Sequence, residues 1–320
     1  MANDTISEST ASSSTPLGIL LQALQMREEE PPKDKSASPL LHTYRGESLD
    51  FPTGNIYGGQ IVAQVIAASR QTIPDGRLPH SVHAYFTTPG DLRHGVCYDV
   101  ESLRDGHSFS ARTVRARQND RQVLTAISSF QIAGQDGMSF ADPAPDVPDP
   151  QTLPSSFDLM RPWATKNRTA DYFVNHSPWD IRHVETPVLL QPDTAPEDQR
   201  RQQSVWMRAE TSGLPESQLQ QIRTDQTTQR ALLATGCDQL MMEPALRRAG
   251  LSFLTPGIRF ATIDHSMWWY GTIDVTRWHL YVQDAPIAGH GRALCRARVY
   301  QDDALVAEIT QEAMIRVPQK

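Results

Sequence analysis

Cysteine is scarce: Cys97, Cys237 and Cys295 are the only three in 320 residues, far apart and with no Cys-x-x-Cys pair. That scarcity excludes a disulfide framework and a cysteine zinc site, and it fits a reducing compartment. No apolar run approaches the roughly 20 residues that a membrane-spanning helix needs. A surplus of positive charge is missing too, since 30 Lys and Arg face 37 Asp and Glu for a net charge of -7. A chain so charged is not built to hold nucleic acid through its phosphates. Lysine is nearly absent, with only Lys33, Lys35, Lys166 and Lys320 among the basic residues; coding bias explains that skew as well as phosphate recognition does. The N-terminus, Met1-Ala-Asn-Asp-Thr-Ile-Ser-Glu8, has neither an apolar core nor arginine enrichment, and the C-terminus, Val317-Pro-Gln-Lys320, is not a Ser-Lys-Leu address. The expectation is a cytoplasmic protein without a metal or cofactor.

What is present reads as an ordinary globular chain, 39% hydrophobic and 21% charged, long enough for two compact domains. Residues 1–39 form a Ser/Thr-rich tail, expected to be disordered apart from a short helix over 17–26. Residues 40–140 make a first unit. In it Gly58-Gly59 opens a helix whose Ile61, Val62, Val65 and Ile66 recur at helical spacing, and Pro74 and Gly76 close it. Strands are predicted near 80–86, 95–103, 108–117 and 121–131, with turn signals between them. Residues 141–171 are a linker, its first part carrying Pro143, Pro145, Pro148, Pro150 and Pro154 and so expected to hold no regular structure. Residues 172–320 form a second unit with strands near 180–185 and 204–209, a helix over 227–242, and strands at 257–270, 277–283, 291–301 and 304–316.

The order of strand, long helix and antiparallel strands thus occurs twice. Local text repeats as well: Gly106-His107 answers to Gly289-His290, and Gln118-Asn119-Asp120 to Gln301-Asp302-Asp303. A helix followed by a meander buries best if the sheet wraps around it, which gives an α+β unit. Two such units can pair edge to edge and so remove exposed strand edges.

Polar residues interrupt apolar surfaces at three places in the second unit. Along Gly257–Trp268 strand alternation puts Ile258, Phe260, Thr262 and Asp264 on one face and Arg259, Ala261, Ile263 and His265 on the other. Over 304–316, Gln311 is the lone polar member of a face made by Leu305, Ala307, Ile309, Ala313 and Ile315. Asp238 falls on the helical stripe of Ala231, Ala234, Thr235 and Met241. Each group either hydrogen-bonds to neighbouring backbone or lines a site; three interruptions in one half of the chain point to a pocket. Other candidates fall away. Gly106-His-Ser-Phe-Ser110 lacks the last glycine of a nucleophile elbow and does not enter a helix. His80 and His83 point to opposite faces of a strand, and a buried helical Cys237 is usually inert.

Tyr57-Gly-Gly-Gln-Ile-Val-Ala-Gln64, His80-Ser-Val-His-Ala-Tyr-Phe86, Pro89-Gly-Asp91, the run Asp99–Arg112, Val205-Trp-Met-Arg208 and Ala261-Thr-Ile-Asp-His-Ser-Met-Trp268 together resemble the acyl-CoA thioesterase II family, from about residue 40 to 316. The resemblance implies a double-hotdog fold and hydrolysis of an acyl-CoA to free acid and CoA, with no cofactor and with a homo-oligomer as the assembly. It implies that Asp238, Thr262 and Gln311 hold the attacking water, so that no acyl-enzyme forms. Gly58, Gly59 and Gln60 at the helix start, and Asp264 in a supporting role, are assigned to the substrate; a Gly58-Gly59 backbone N–H would polarise the thioester carbonyl. His265 is read as a packed residue rather than a base. The chain departs from the family pattern at Phe86-Thr-Thr-Pro-Gly-Asp91 and Tyr270-Gly-Thr-Ile-Asp274, where family members commonly carry an arginine. That leaves the acyl carrier open. Alternatives are a hotdog enoyl-CoA hydratase or dehydratase, a thioesterase for carrier-protein-bound chains, and an acyl-CoA sensor without turnover.

Overall fold

The computed structural model describes residues 14–31 and 41–317; most of the expected N-terminal tail lies outside them. The first helix, α1 (Pro16–Ala23), begins where the Thr15 hydroxyl accepts the Gly18 amide, with Pro16 in the first turn. Two strands follow, β1 (Arg27–Glu29) and β2 (Leu41–Gly46). Helix α2 (Gly58–Arg70) is buried on nearly every side, its Gln60 and Gln64 included, as befits a helix at the centre of a unit. Strands β3 (Arg77–Phe86), β4 (Val96–Asp105), β5 (Phe109–Gln118) and β6 (Arg121–Ile132) wrap around it.

The proline-rich stretch is more structured than expected. It starts as extended chain across the outer face of the second unit, where Ala144 and Val147 pack on Leu280, Val282 and Tyr300, and the Trp206 indole donates to Pro148 O (3.0 Å). A 3-10 turn then forms at Pro150–Thr152, followed by α3 (Ser156–Met160) and α4 (Arg168–Asp171). Proline is tolerated in a first turn because the amide it lacks has no partner there, so Pro150 can open the 3-10 turn, while α3 and α4 contain no proline.

The second unit runs β7 (Trp179–His183), β8 (Gln202–Ala209), α5 (Glu216–Thr224), α6 (Gln226–Asp238), α7 (Glu243–Ala249), β9 (Arg259–Thr262), β10 (Asp264–Trp269), β11 (His279–Gly289), β12 (Arg292–Gln301) and β13 (Ala304–Arg316). The helix expected to reach residue 242 stops at Asp238. Pro244 sits in the first turn of α7, and a proline ring cannot follow a continuous helix past the carbonyl four residues back. No helix among the described residues is long and apolar enough to cross a membrane.

Among the described residues all strands join one antiparallel sheet of 13 strands, in the order β1-β2-β4-β5-β6-β3-β10-β13-β12-β11-β8-β7, with β9 also on β13. The two units meet at β3 and β10, where His83 faces Ser266, Val82 faces Met267 and Ala84 faces His265. His83 and Ser266 lie 183 residues apart, the offset of the sequence repeat, so this pairing marks a pseudo-twofold axis. The repeat extends to hydrogen bonds. Gln118 accepts the Asp91 N–H (2.7 Å) and donates to the Asp91 and His94 carbonyls (2.8 and 2.6 Å). Gln301 does the same with Asp274 N–H (2.8 Å) and the Asp274 and Trp278 carbonyls (2.8 and 3.2 Å). The result is a double hotdog.

Inside the sheet the N-terminal turn of α2 meets the C-terminal turn of α6. A Cβ on Gly59 would stand 2.9 Å from the Ala234 carbonyl oxygen, so glycine is what lets the helices touch, and the Tyr57 hydroxyl donates to Thr235 O (2.6 Å). Arg230 of α6 ties the units at the other end. Arg230 is only 7% exposed; its guanidinium donates to Pro79 O of β3 (2.5 Å) and Gly271 O (3.3 Å), and burial pulls its pKa down to about 10. Arg230→Met leaves those carbonyls without their charged donor, at an expected cost of about 2 kcal/mol. Urea unfolding checks this, and a loss under roughly 0.5 kcal/mol would show that the bridge adds nothing beyond an ordinary surface contact.

Candidate active site

Asp238 ends α6 and turns its carboxylate toward the other unit, where Oδ2 accepts the Gly59 N–H at 2.8 Å. Tyr57, the residue before α2, offers no side-chain cap of its own. Asp238 therefore fills that role from a different helix, with its negative charge at the positive end of α2. Gln311, fully buried in β13, donates from Nε2 to Thr262 Oγ1 at 2.9 Å, and its amide is near enough to the Asp238 carboxylate to favour the ionised form. Three side chains from α6, β9 and β13 thus come together in one polar cluster.

A one-residue slip in the sheet sets the local geometry. Thr262 pairs with Ala313 on β13, but Ser266 pairs with Thr310, so three residues of β9–β10 span two of β13. An extra residue inverts the alternation from that point on. Thr262 and His265 consequently both face inward, and Asp264, expected beside Thr262, faces away. Its Oδ1 accepts the Glu312 N–H (3.0 Å) and closes the gap in the ladder. Asp264 thus ties the sheet together and is not among the residues that line the cavity. His265, read from the sequence as a packing residue, instead belongs to the cluster: Nδ1 lies 2.8 Å from Gln311 Oε1, and Nε2 lies 3.6 Å from Cys237 Sγ. Only knowledge of the slip would have put it there.

The residues assigned to the helix start divide as well. Gly58 lines a cavity of about 440 Å³ together with Asp238 and Thr262. The Gly59 N–H is taken by Asp238, so it is not free to polarise a carbonyl. Gln60 is turned away to hold the preceding loop, donating to Glu47 O (2.8 Å) and accepting the Leu49 N–H (3.1 Å). The cavity walls are largely apolar, with Phe86, Met160, Tyr172, Leu190, Phe253 and Phe260 among them. Part of the expected linker thus forms one side of the cavity, while Gln311 stands just behind Thr262 and Asp238.

Burial raises the pKa of Asp238 above the usual carboxylate value, while nearby His265, the Gly59 N–H and the Gln311 amide pull the other way. What surface Asp238 exposes is cavity wall, because it lines the pocket. Burial, then the charge of Asp238, pushes the Cys237 thiol well above its ordinary range, which keeps it protonated and unreactive. The first unit has no such cluster. Ser128, the repeat partner of Gln311, bonds instead to the Ser69 hydroxyl (2.8 Å), and the fully buried Arg112 fills the adjacent space with bonds to Thr72 and Asp105.

Fold and cavity together define a hotdog-fold protein with one polar cluster beside a largely apolar cavity. Comparison with other proteins agrees. Residues 48–131 match the family model described as the acyl-CoA thioesterase N-terminal domain, and residues 143–315 the one described as the acyl-CoA thioesterase C-terminal domain. The chain is 33% identical over 276 residues to acyl-CoA thioesterase 2 of Haemophilus influenzae, covering 85% of this chain and 92% of that one. It is 28% identical over 284 residues to human acyl-coenzyme A thioesterase 8, covering 86% and 84%. Among solved structures, the acyl-CoA thioesterase II of Mycobacterium marinum superposes with a TM-score of 0.70 at 27% identity, over 93% of this chain and 98% of that one. The chain belongs to the acyl-CoA thioesterase II family and is a thioester hydrolase.

Because folding raises the pKa of Asp238, its ionised form opposes folding, and the penalty is present at neutral pH and absent below the unfolded carboxylate value. Asp238→Asn retains an acceptor for Gly59 and is expected to raise the Tm at pH 7 by about 2–4 °C. The gain should shrink as pH falls toward 3.8. Thermal melts across that range check it, and a lower Tm at pH 7 would contradict the sign.

Proposed function

We propose that the chain hydrolyses acyl-CoA thioesters to a free acid and CoA, by direct attack of one water held among Asp238, Thr262 and Gln311. The observation that carries this reading is the convergence of Asp238 and Thr262 on the wall of one apolar cavity, with the Gln311 amide bonded to the Thr262 hydroxyl and close to the Asp238 carboxylate. The Asp238 carboxylate takes a proton from the water as the oxygen attacks the thioester carbon. Thr262 and Gln311 fix the water's direction, which removes part of the entropic barrier. The tetrahedral intermediate then expels the CoA thiolate. Since the Gly59 N–H is engaged, the carbonyl oxygen is assigned to the N–H of Gly58, which lines the cavity. The acyl chain lies against the aromatic and aliphatic walls, closed in part by Met160, Ala170 and Phe173.

One observation favours a second substrate reading within the same reaction. Among the described residues no Arg or Lys lines the cavity, and where the family commonly has an arginine the Thr87 and Thr88 hydroxyls both donate to Gln122 O. A site without those cations suits an acyl-pantetheine arm on a carrier protein, which lacks the phosphates of the CoA nucleotide. Comparing kcat/KM for the same acyl group on CoA and on a carrier protein separates the two. A hydratase is less well supported, because both ring nitrogens of His265 face protein groups rather than the cavity. Homo-oligomerisation is supported by the open outer face of the first unit, where Tyr85, Phe109 and Ile127 are exposed; light scattering measures it.

Asp238→Asn, Thr262→Ala and Gln311→Ala are each expected to lower kcat by about 100-fold or more, read as thiol release, in variants that melt cooperatively. The reaction needs ionised Asp238, so kcat/KM should fall as pH drops through a pKa above the ordinary 3.8, and that limb should persist in Thr262→Ala. Near-normal turnover in all three variants would rule out the trio.

A further inference from the structure

We propose that His265 is a positioning residue that locks the amide of Gln311 in the one orientation the reaction can use. This rests on the reading of Asp238, Thr262 and Gln311 given above. An amide has almost the same shape whether its oxygen and nitrogen are as drawn or exchanged by rotation about the last side-chain bond. Only one choice works here. With Nε2 as drawn, Gln311 donates to Thr262 Oγ1 at 2.9 Å and presents its N–H side to the nearby Asp238 carboxylate, whose charge it favours. With the amide reversed, its oxygen would face the carboxylate, two acceptors would repel, and the water would lose its orienting donor.

Solvent cannot settle the choice, because Gln311 is fully buried and His265 only 1% exposed. The matching donor comes from His265, whose Nδ1 lies 2.8 Å from Gln311 Oε1. An acceptor at that distance requires the Nδ1–H form of the ring. In the neutral Nδ1–H ring Nε2 is left as an acceptor, 3.6 Å from Cys237 Sγ, whose own thiol hydrogen is directed to Ala234 O at 3.3 Å. The ring is held from the other side by the sheet, where His265 pairs with Ala84 across the joint between the units. Cys237, His265 and Gln311 therefore form a row behind the cavity wall that ends at Thr262 and Asp238. His265 touches no substrate; it acts through Gln311.

A pair of variants of similar size and polarity tests this. In Asn the side-chain amide nitrogen sits where Nδ1 of the ring does, and in Gln it sits where Nε2 does. His265→Asn is expected to keep kcat within a few-fold of the parent, with KM and the acidic pH limb unchanged. His265→Gln should lose about 10–100-fold in kcat at similar KM, the usual range for a group that orients a reacting residue. In a Gln311→Ala background the two His265 variants should be equally active, since no amide remains to orient. Equal losses in His265→Asn and His265→Gln would overturn the proposal in favour of a charge effect or a purely structural role. So would losses that multiply with that of Gln311→Ala. Full activity of Gln311→Ala alone would instead remove the underlying reading, and this proposal with it, whereas an impaired Gln311→Ala beside two fully active His265 variants would defeat only the orientation lock.

Discussion

A carboxylate from one helix held by the first backbone amide turn of another is the contact on which both architecture and chemistry depend. Asp238 closes α6 and caps α2 in the same bond. That contact exists because Gly59 has no side chain to keep the Ala234 carbonyl away. The favourable end of the α2 dipole, on the order of 1 kcal/mol, offsets only part of the cost of burying the charge. What remains is a base whose proton affinity is higher than that of a surface carboxylate. Neither unit alone can make it, because the acid comes from the second half and its N–H partner from the first.

Duplication explains why the helix-and-meander scaffold occurs twice while the polar cluster occurs once among the described residues. The Gln118 and Gln301 clamps are interchangeable in geometry, and the β3–β10 joint is symmetric about His83 and Ser266. The polar cluster is not duplicated. Where the second unit has Gln311, the first has Ser128 bonded to Ser69, with the salt-bridged Arg112 packed beside it. Polar groups stay in both cores, but in the first they satisfy one another and leave nothing directed at a cavity.

The architecture was largely legible in the sequence because it rests on periodicity. The strands of both meanders, helix α2 and the inward face of β13 follow alternation or helical spacing closely, and Gln311 stood out as the one polar residue on its face. Asp238 and Thr262 were legible for the same reason. The assignments that changed depend on contacts across the fold. The slip between β9 and β10 inserts one residue, which no local pattern announces, and it exchanges the faces on which Asp264 and His265 lie. Gly59 reads as a helix-start donor until α6 is seen to occupy that donor. The short helices after Pro150 carry too few residues for a periodic signal, yet they bring Met160 and Ala170 to the cavity.

The central claim is that water attacks the thioester directly, with Asp238 taking only a proton. A single turnover in ¹⁸O-enriched water with enzyme in excess over acyl-CoA tests it, followed by mass spectrometry of the released acid and of the peptide containing Asp238. The expected result is label in the acid and none in the peptide. Label in the Asp238 carboxylate would mean that it had formed and lost an anhydride, and would contradict the account.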